Sequence, residues 1–169
     1  MATSLSSQST ANRTKSLGAV WRIIEPSPAG AVSAVDGPQL SSSYSFTNEQ
    51  AIRILKRGIS SRVIEPLSEY LSVGKGELVG ILDLDRTTLL RRATRDQPLP
   101  THSAENVLRV LELKDAAIAT FETEAMALDW MRRPHPMLDG ESPLESAATS
   151  FGARRVRDIL LAIQYGGVV

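Results

Sequence analysis

Four arginines lie between residues 86 and 95 of this chain, with no acidic residue among them. A guanidinium group pairs with phosphate, and its planar fork can bind the edge of guanine through two hydrogen bonds. A helix that carries such a row is suited to the major groove of DNA. The predicted DNA-binding residues are Arg86, Thr87, Thr88, Arg91, Arg92 and Arg95. A basic helix face that is simply solvated is the alternative, because the charge pattern is the same in both cases.

Residues suited to catalysis are sparse. The chain has no cysteine, which excludes a disulfide, a thiolate metal site and a cysteine nucleophile. It also contains no nucleophile elbow, no glycine-rich phosphate loop and no H-E-x-x-H motif. We therefore predict that the protein is not an enzyme and uses no metal and no cofactor. A small helical enzyme is the weakest alternative, since it would depend on scattered residues such as His102, Glu105 and Asp115.

Composition and charge give a globular chain with no obvious partner. Of its 169 residues 42% are hydrophobic, and 19 basic residues balance 19 acidic ones. The longest uninterrupted apolar run is Ile159–Ile163, far short of the about 20 residues that a membrane-spanning helix needs. We expect a cytoplasmic protein without a membrane segment.

A helix-turn-helix is the element expected to position the arginines. The pattern predicts a short helix over residues 76–82, a turn at 83–85 and a second helix over 86–96. Asp85 is the expected cap of the second helix. The residues expected to face the core are Leu89, Leu90 and Ala93. Three acids would oppose DNA binding if they shared the contact face: Glu65, Glu69 and Glu77.

The remaining pattern predicts an all-α fold. Apolar residues recur at helical spacing from Thr47 to the last helix, and no long strand pattern is present. The other predicted helices cover residues 47–58, 61–71 (kinked or shortened by Pro66), a long helix capped by Thr101 or Ser103 and ending at Phe121, a helix from Thr123 to Pro134, residues 142–152 and residues 153–165.

The first 43 residues have a different composition. Ten of them are serine, and their apolar residues show no sustained period. Such a segment buries too little surface to offset its ordering entropy. We predict a flexible tail over residues 1–43, in which only Leu17–Ile24 could pack as a short strand or arm.

The carboxyl end carries a second candidate surface. Met126, Trp130, Met131 and Met137 lie within twelve positions, a grouping typical of a core but also of adaptable contact surfaces. Two glycines and two valines end the chain, a thin apolar tip that could enter a cleft on another protein. An ordinary frayed terminus is the alternative.

Several of these segments resemble Xre/MbcA/ParS-type antitoxins. ELVGILDLDRTTLLRR and SAENVLRVLEL are similar to the amino-terminal half of that family. The run ALDWMRRPHPMLDGESPLESAATSFGARRVRDILLAIQYG is similar to its toxin-binding domain. The resemblance covers residues 45–167. Two mild departures from the family pattern are His135, in the proline turn at residues 134–136, and Glu141, directly before Ser142.

The resemblance implies a type II toxin–antitoxin system whose toxin is a RES-domain enzyme that consumes NAD. It implies a DNA-binding and dimerisation region over residues 44–121, a toxin-binding domain over 122–169, homodimers, and repression of the shared operon. The expected toxin-binding residues are Arg154, Arg155, Tyr165, Gly166, Gly167, Val168 and Val169. A stand-alone helix-turn-helix regulator, whose carboxyl-terminal helices only dimerise, is the alternative.

Overall fold

The computed structural model describes residues 2–25 and 46–166, with side chains from residue 11 onward. Within these ranges the secondary structure is helical, which confirms the all-α prediction. The α-helices are α1 (Ala2–Ile24), α2 (Asn48–Arg57), α3 (Ile64–Leu71), α4 (Lys75–Ile81), α5 (Arg86–Thr94), α6 (Thr101–Phe121), α7 (Glu124–Arg132), α8 (Pro143–Ser146) and α9 (Ser150–Gln164). Short 3₁₀ turns precede α3 at Ser61–Val63 and α8 at Pro136–Leu138.

Helix α1 lies where the sequence predicted a flexible tail. Leu17, Val20 and Ile24 are buried, and they share one helix face because they lie three and four residues apart. The face packs on α3, where Ser16 donates a hydrogen bond of 2.9 Å to Glu69. The structure therefore corrects the tail prediction for residues 2–24, and the strand or arm expected at 17–24 is the last part of this helix. The rest of the predicted tail lies outside the described residues.

The next two helices begin as their local signals require. Thr47 and Gln50 form the predicted capping box at the start of α2, with both reciprocal hydrogen bonds present. Helix α3 begins only at Ile64, so Pro66 falls in its first turn. Proline is tolerated there because the first-turn N–H groups have no partner within the helix. Of the two predicted alternatives, a kinked helix or a later start, the structure shows the later start.

Helix α6 is the long central element, and helices from both ends of the chain pack on it, including α2, α7 and α9. Val107, Val110 and Leu111 are buried along it. Its start differs from the prediction: the cap residue is Pro100, without a capping side chain, and Ser103 is buried inside the helix.

The carboxyl-terminal helices confirm one cap and correct one boundary. Ser142 and Glu145 form the predicted capping box of α8. However, α8 ends at Ser146, and Gly152 lies inside α9, which begins at Ser150. A Cβ atom on Gly152 would come 2.0 Å from the carbonyl oxygen of Ser146. Glycine is needed there for close packing and does not stop a helix.

Candidate functional site

The turn between α4 and α5 is tightly specified. Asp83 adopts a left-handed backbone with φ 51°, and Leu84 is buried beneath the turn. Asp85 caps α5, because its carboxylate accepts a 2.8 Å hydrogen bond from the backbone N–H of Thr88. That hydrogen bond lowers the pKa of Asp85, since it stabilises the charged form. The predicted cap is confirmed, and it fixes the start of the arginine-bearing helix.

Helix α5 lies on the surface, and none of its residues is fully buried. Leu89 is partly buried against the core, whereas Leu90 is 70% exposed and Ala93 is also exposed. The prediction that Leu90 and Ala93 face the core is therefore wrong. Thr87, Leu90 and Arg91 point outward together because they are three and four positions apart.

The four arginines of α5 and its C-cap differ in whether their guanidinium groups are already bonded or packed within the chain. Arg92 is partly buried, and its Nη1 atom donates a 2.6 Å hydrogen bond to the carbonyl of Pro98. Arg86 lies against α4, where a Cβ on Gly76 would come 2.7 Å from its guanidinium. Arg91 and Arg95 are exposed and have no hydrogen bond or ion pair within the described residues. Arg91 and Arg95 are therefore the arginines of α5 that are freest to reach a partner.

The nearby acids are largely engaged elsewhere. Glu65 forms a 2.6 Å ion pair with Lys75, and Glu69 accepts its hydrogen bond from Ser16 of α1. Glu77 is exposed on α4. Two of the three acids thus have partners on other elements, and the exposed face of α5 itself carries no acid.

The last helix has one buried face and one exposed apolar face. Its buried residues are Ala153, Val156, Ile159 and Leu160. On the opposite side lie Phe151, Leu161 and Tyr165, with exposures of 82%, 45% and 81%. We call Phe151, Arg154, Asp158, Leu161 and Tyr165 the α9 stripe; they recur every three to four residues over about 21 Å. The sequence prediction does not include Phe151 or Leu161: Phe151 lies at the helix end predicted at Gly152, and helical spacing alone does not show that Leu161 is exposed.

Arg154 and Arg155 are neighbours with different surroundings. Arg154 is exposed and has no partner within the described residues. Arg155 holds the proline turn, with Nη1 2.7 Å from a carboxylate oxygen of Asp139 and Nη2 2.6 Å from the carbonyl oxygen of Met137. Arg155 is thus already bound to its own chain. Of the predicted tip, Gly166 is described, with φ 72°, and residues 167–169 lie outside the described residues.

The methionine and tryptophan group divides between core and surface. Trp130 packs between Phe121 and His135, with ring centroids 5.4 Å and 5.9 Å away. Met131 is buried, while Met126 and Met137 are about half exposed. The His135 Nδ1 atom accepts a hydrogen bond from the backbone of residue 137. His135 therefore stabilises the turn.

Other site types find no support in the described parts of the chain. They hold no group of three or more histidine, aspartate or glutamate side chains that could bind a metal ion. None of their helices is both long and apolar enough to cross a membrane.

Comparison with known proteins assigns the carboxyl-terminal part of the chain. Residues 116–166, which include α7, α8 and the α9 stripe, match the family described as the antitoxin Xre/MbcA/ParS C-terminal toxin-binding domain. The fold and this match define the class: a protein that is helical in its described residues and whose carboxyl-terminal part matches a toxin-binding domain.

Relatives over a longer part of the chain agree. It is 28% identical over 113 residues to "Antitoxin Xre" of Yersinia enterocolitica, covering 66% of this chain and 76% of that protein. It is 27% identical over 132 residues to the "Prs ADP-ribosylating antitoxin" of a Sphingobium species, covering 73% and 83%. A 79-residue match to "Antitoxin Xre" of Pseudomonas putida is 30% identical and covers 47% and 50%. The chain is therefore similar to Xre-type antitoxins of toxin–antitoxin systems over about two thirds of its length.

Proposed function

We propose that this antitoxin neutralises a RES-domain toxin that consumes NAD, by covering the toxin's active site with the α9 stripe and the carboxyl-terminal tip. The observation that carries the proposal is that Phe151, Leu161 and Tyr165 are exposed on one face of α9, inside the part of the chain that matches the toxin-binding domain. Tyrosine and arginine, which the α9 stripe also contains, are among the residues enriched at binding hot spots. The stripe leads directly into the tip at Tyr165 and Gly166.

The chemistry of the toxin is inferred from the resemblance and from one relative. The name of the Sphingobium relative refers to ADP-ribosylation, a reaction that consumes NAD. A cleft that binds a dinucleotide is narrow, and the Gly-Gly-Val-Val end is slim enough to enter it. We propose a stoichiometric inhibitor rather than an enzyme, with the toxin-binding domain over residues 122–169.

A co-expression experiment tests this proposal. The chain is co-produced with the product of the neighbouring gene, and cellular NAD and growth are measured. We expect full neutralisation by the unaltered chain and loss of neutralisation after Phe151→Ala with Tyr165→Ala, or after deletion of residues 165–169. Ile52→Ala is the matched control, because Ile52 is an exposed apolar residue on α2. Full neutralisation by both altered forms would contradict the proposed surface.

We further propose that the protein represses its own operon as a homodimer, through α4, the turn and α5. The support is the capped, surface-lying helix with free guanidinium groups at Arg91 and Arg95. Neutralising one phosphate contributes about −0.9 to the dependence of log affinity on log salt. Arg91→Ala with Arg95→Ala should weaken binding to the upstream DNA and make this slope shallower by up to about 1.8. A dimer would bind half-sites about one helical turn apart.

The stand-alone regulator is the second candidate. In that case α9 would only dimerise, and the neighbouring gene product would not copurify with the chain. Arg133→Gln serves as the control for the DNA measurement, because Arg133 follows α7 and forms an ion pair with Asp129 of that helix. An unchanged salt slope after removal of Arg91 and Arg95 would place the DNA-binding surface elsewhere.

A further inference from the structure

Helix α2 carries a second row of exposed cations, which we call the α2 basic face: Arg53, Lys56 and Arg57. The three are exposed and have no hydrogen bond or ion pair within the described residues. They share one side of the helix because they are spaced by three, four and one positions. Ile54 of the same helix is buried. Glu49, one turn earlier, is the only acid on this helix.

A short extended contact joins the end of α2 to the end of α5. Gly58 follows α2 with φ 86°, and a Cβ atom there would come 3.0 Å from Pro98. The backbone N–H of Leu99 donates a 2.7 Å hydrogen bond to Ile59. The Arg92 guanidinium of α5 bonds the carbonyl oxygen of the same Pro98. The residues that follow α2 and the last turn of α5 therefore meet at Pro98 and Leu99.

Charge is concentrated in the segments that this contact brings together. Residues 48–62 and 85–97 contain eight arginines and lysines but three acids. Since the whole chain has 19 of each, the remaining residues contain eleven basic and sixteen acidic side chains. One of the three acids, Asp96, is already paired with Arg62 at 3.0 Å. The two segments therefore carry a net charge of +5, and the rest of the chain carries −5.

We propose that the α2 basic face binds the phosphate backbone of the same DNA duplex whose groove receives α5. The proposal rests on the DNA-binding function proposed above and adds a second helix to it. Phosphate contacts of this kind fix the orientation of a protein on the duplex without reading bases. Exposed, unpaired cations next to a groove-binding helix match that role, because they keep their charge available to an external anion.

Helix stabilisation is the competing explanation for Lys56 and Arg57. Cations in a last helical turn interact favourably with the negative end of the helix dipole. Arg53 lies a full turn earlier, where this effect has largely decayed. The two explanations predict different effects on the salt dependence of DNA affinity, since only phosphate binding changes the number of counterions released from DNA.

The test uses the full chain with Lys56→Gln and Arg57→Gln, and two probes: the duplex upstream of its own coding sequence and a scrambled duplex of equal length. Affinity is measured between 50 and 200 mM salt. We expect the variant to bind both duplexes more weakly, by the same factor. The slope of log affinity against log salt should become shallower by about 1.8. The matched control is Arg133→Gln with Arg157→Gln, which removes two cations that are paired with Asp129 of α7 and Glu112 of α6 and should leave the slope unchanged.

The outcomes separate this inference from the function on which it rests. A lower Tm with an unchanged slope shows a helix-stabilising role and overturns the inference. If Arg91→Ala with Arg95→Ala flattens the slope while the α2 variant does not, the DNA-binding proposal stands and only the inference fails. If the unaltered chain binds neither duplex, both are overturned.

Discussion

At the residue scale, two adjacent arginines show how position divides one residue type between binding and stability. Arg154 belongs to the α9 stripe and has no hydrogen bond or ion pair within the described residues, whereas Arg155 bonds Asp139 and Met137. The sequence predicts both as toxin-binding residues, because neighbouring residues of one type cannot be distinguished by type alone. The two arginines differ because Arg155 bonds the turn at Met137, eighteen residues earlier in the chain.

The difference predicts opposite effects of two equal substitutions. Arg155→Ala should lower the free energy of unfolding by about 1 kcal/mol, since it removes a half-exposed ion pair and a charge-assisted hydrogen bond. Arg154→Ala should change stability by less than about 0.5 kcal/mol and should weaken toxin binding. Urea unfolding and a titration with the toxin measure the two effects. Equal stability losses in both variants would show that Arg155 does not hold the turn.

A buried ion pair lies on the long central helix α6. The side chains of Lys114 and Asp115 on α6 are 1% and 8% exposed and form an ion pair. Lys114 also lies 5.7 Å from the ring centre of Tyr70, whose hydroxyl donates to Glu124. Burial raises the pKa of Asp115, although Lys114 acts against this shift. Removing the two charges from water therefore costs much of what their attraction returns.

This cost predicts that the pair matters more when it is broken than when it is replaced. Asp115→Ala should destabilise the fold by about 3–5 kcal/mol, because it leaves Lys114 buried without its partner. Lys114→Met combined with Asp115→Leu should stay within about 1 kcal/mol of the unaltered chain or exceed it. Denaturant unfolding of the single and double variants decides this. A double variant as unstable as the single one would mean that the pair is net stabilising.

At the scale of elements, the sequence predicts well those features that depend only on residues within one helical turn. The capping boxes at Thr47 and Ser142 are confirmed, because a cap requires only residues within one turn. The helix end predicted at Gly152 is wrong, because this glycine is required by its close packing against the carbonyl oxygen of Ser146. The sequence around Gly152 does not show that neighbour. The exposure of Leu90 and Phe151 was missed for the same reason: a helical period does not show which neighbour covers a face.

The cap of α8 predicts a pH dependence. Hydrogen bonds from the backbone N–H and the hydroxyl of Ser142 lower the pKa of Glu145. A carboxyl whose folded pKa is lowered stabilises the fold above its unfolded pKa of about 4.3, and this contribution is lost as pH falls through the folded value. Glu145→Gln should therefore reduce stability at pH 7, by less than about 1 kcal/mol because the site is exposed.

The same substitution should have a smaller effect at pH 3 than at pH 7, where the unaltered carboxylate is fully charged. Urea unfolding at both pH values measures the difference. Glu105→Gln is the matched control, since Glu105 is exposed on α6 and accepts no hydrogen bond within the described residues. A loss for Glu145→Gln that is equal at both pH values would show that the charge of the carboxylate contributes nothing to the cap.

At the scale of the whole molecule, α6 explains how two surfaces can serve two partners. The helices around it include α2, which ends beside α5, and α9, which carries the exposed stripe. The two candidate surfaces therefore lie on different elements, and α2 and α9 both pack on α6. Substitutions on one surface should leave binding at the other intact, provided that they do not disturb the buried residues of α6.

Helix α1 makes the amino-terminal end part of the same core, which gives the last prediction. Ile24 is completely buried, whereas Ile52 on α2 is 52% exposed. Ile24→Ala should lower the free energy of unfolding by about 2–4 kcal/mol, because it removes buried methyl groups and leaves a cavity. Ile52→Ala should cost less than about 1 kcal/mol, since water already reaches its side chain. Denaturant unfolding compares the two, and equal losses would mean that α1 does not pack on α3 in solution and that a flexible tail describes this end better.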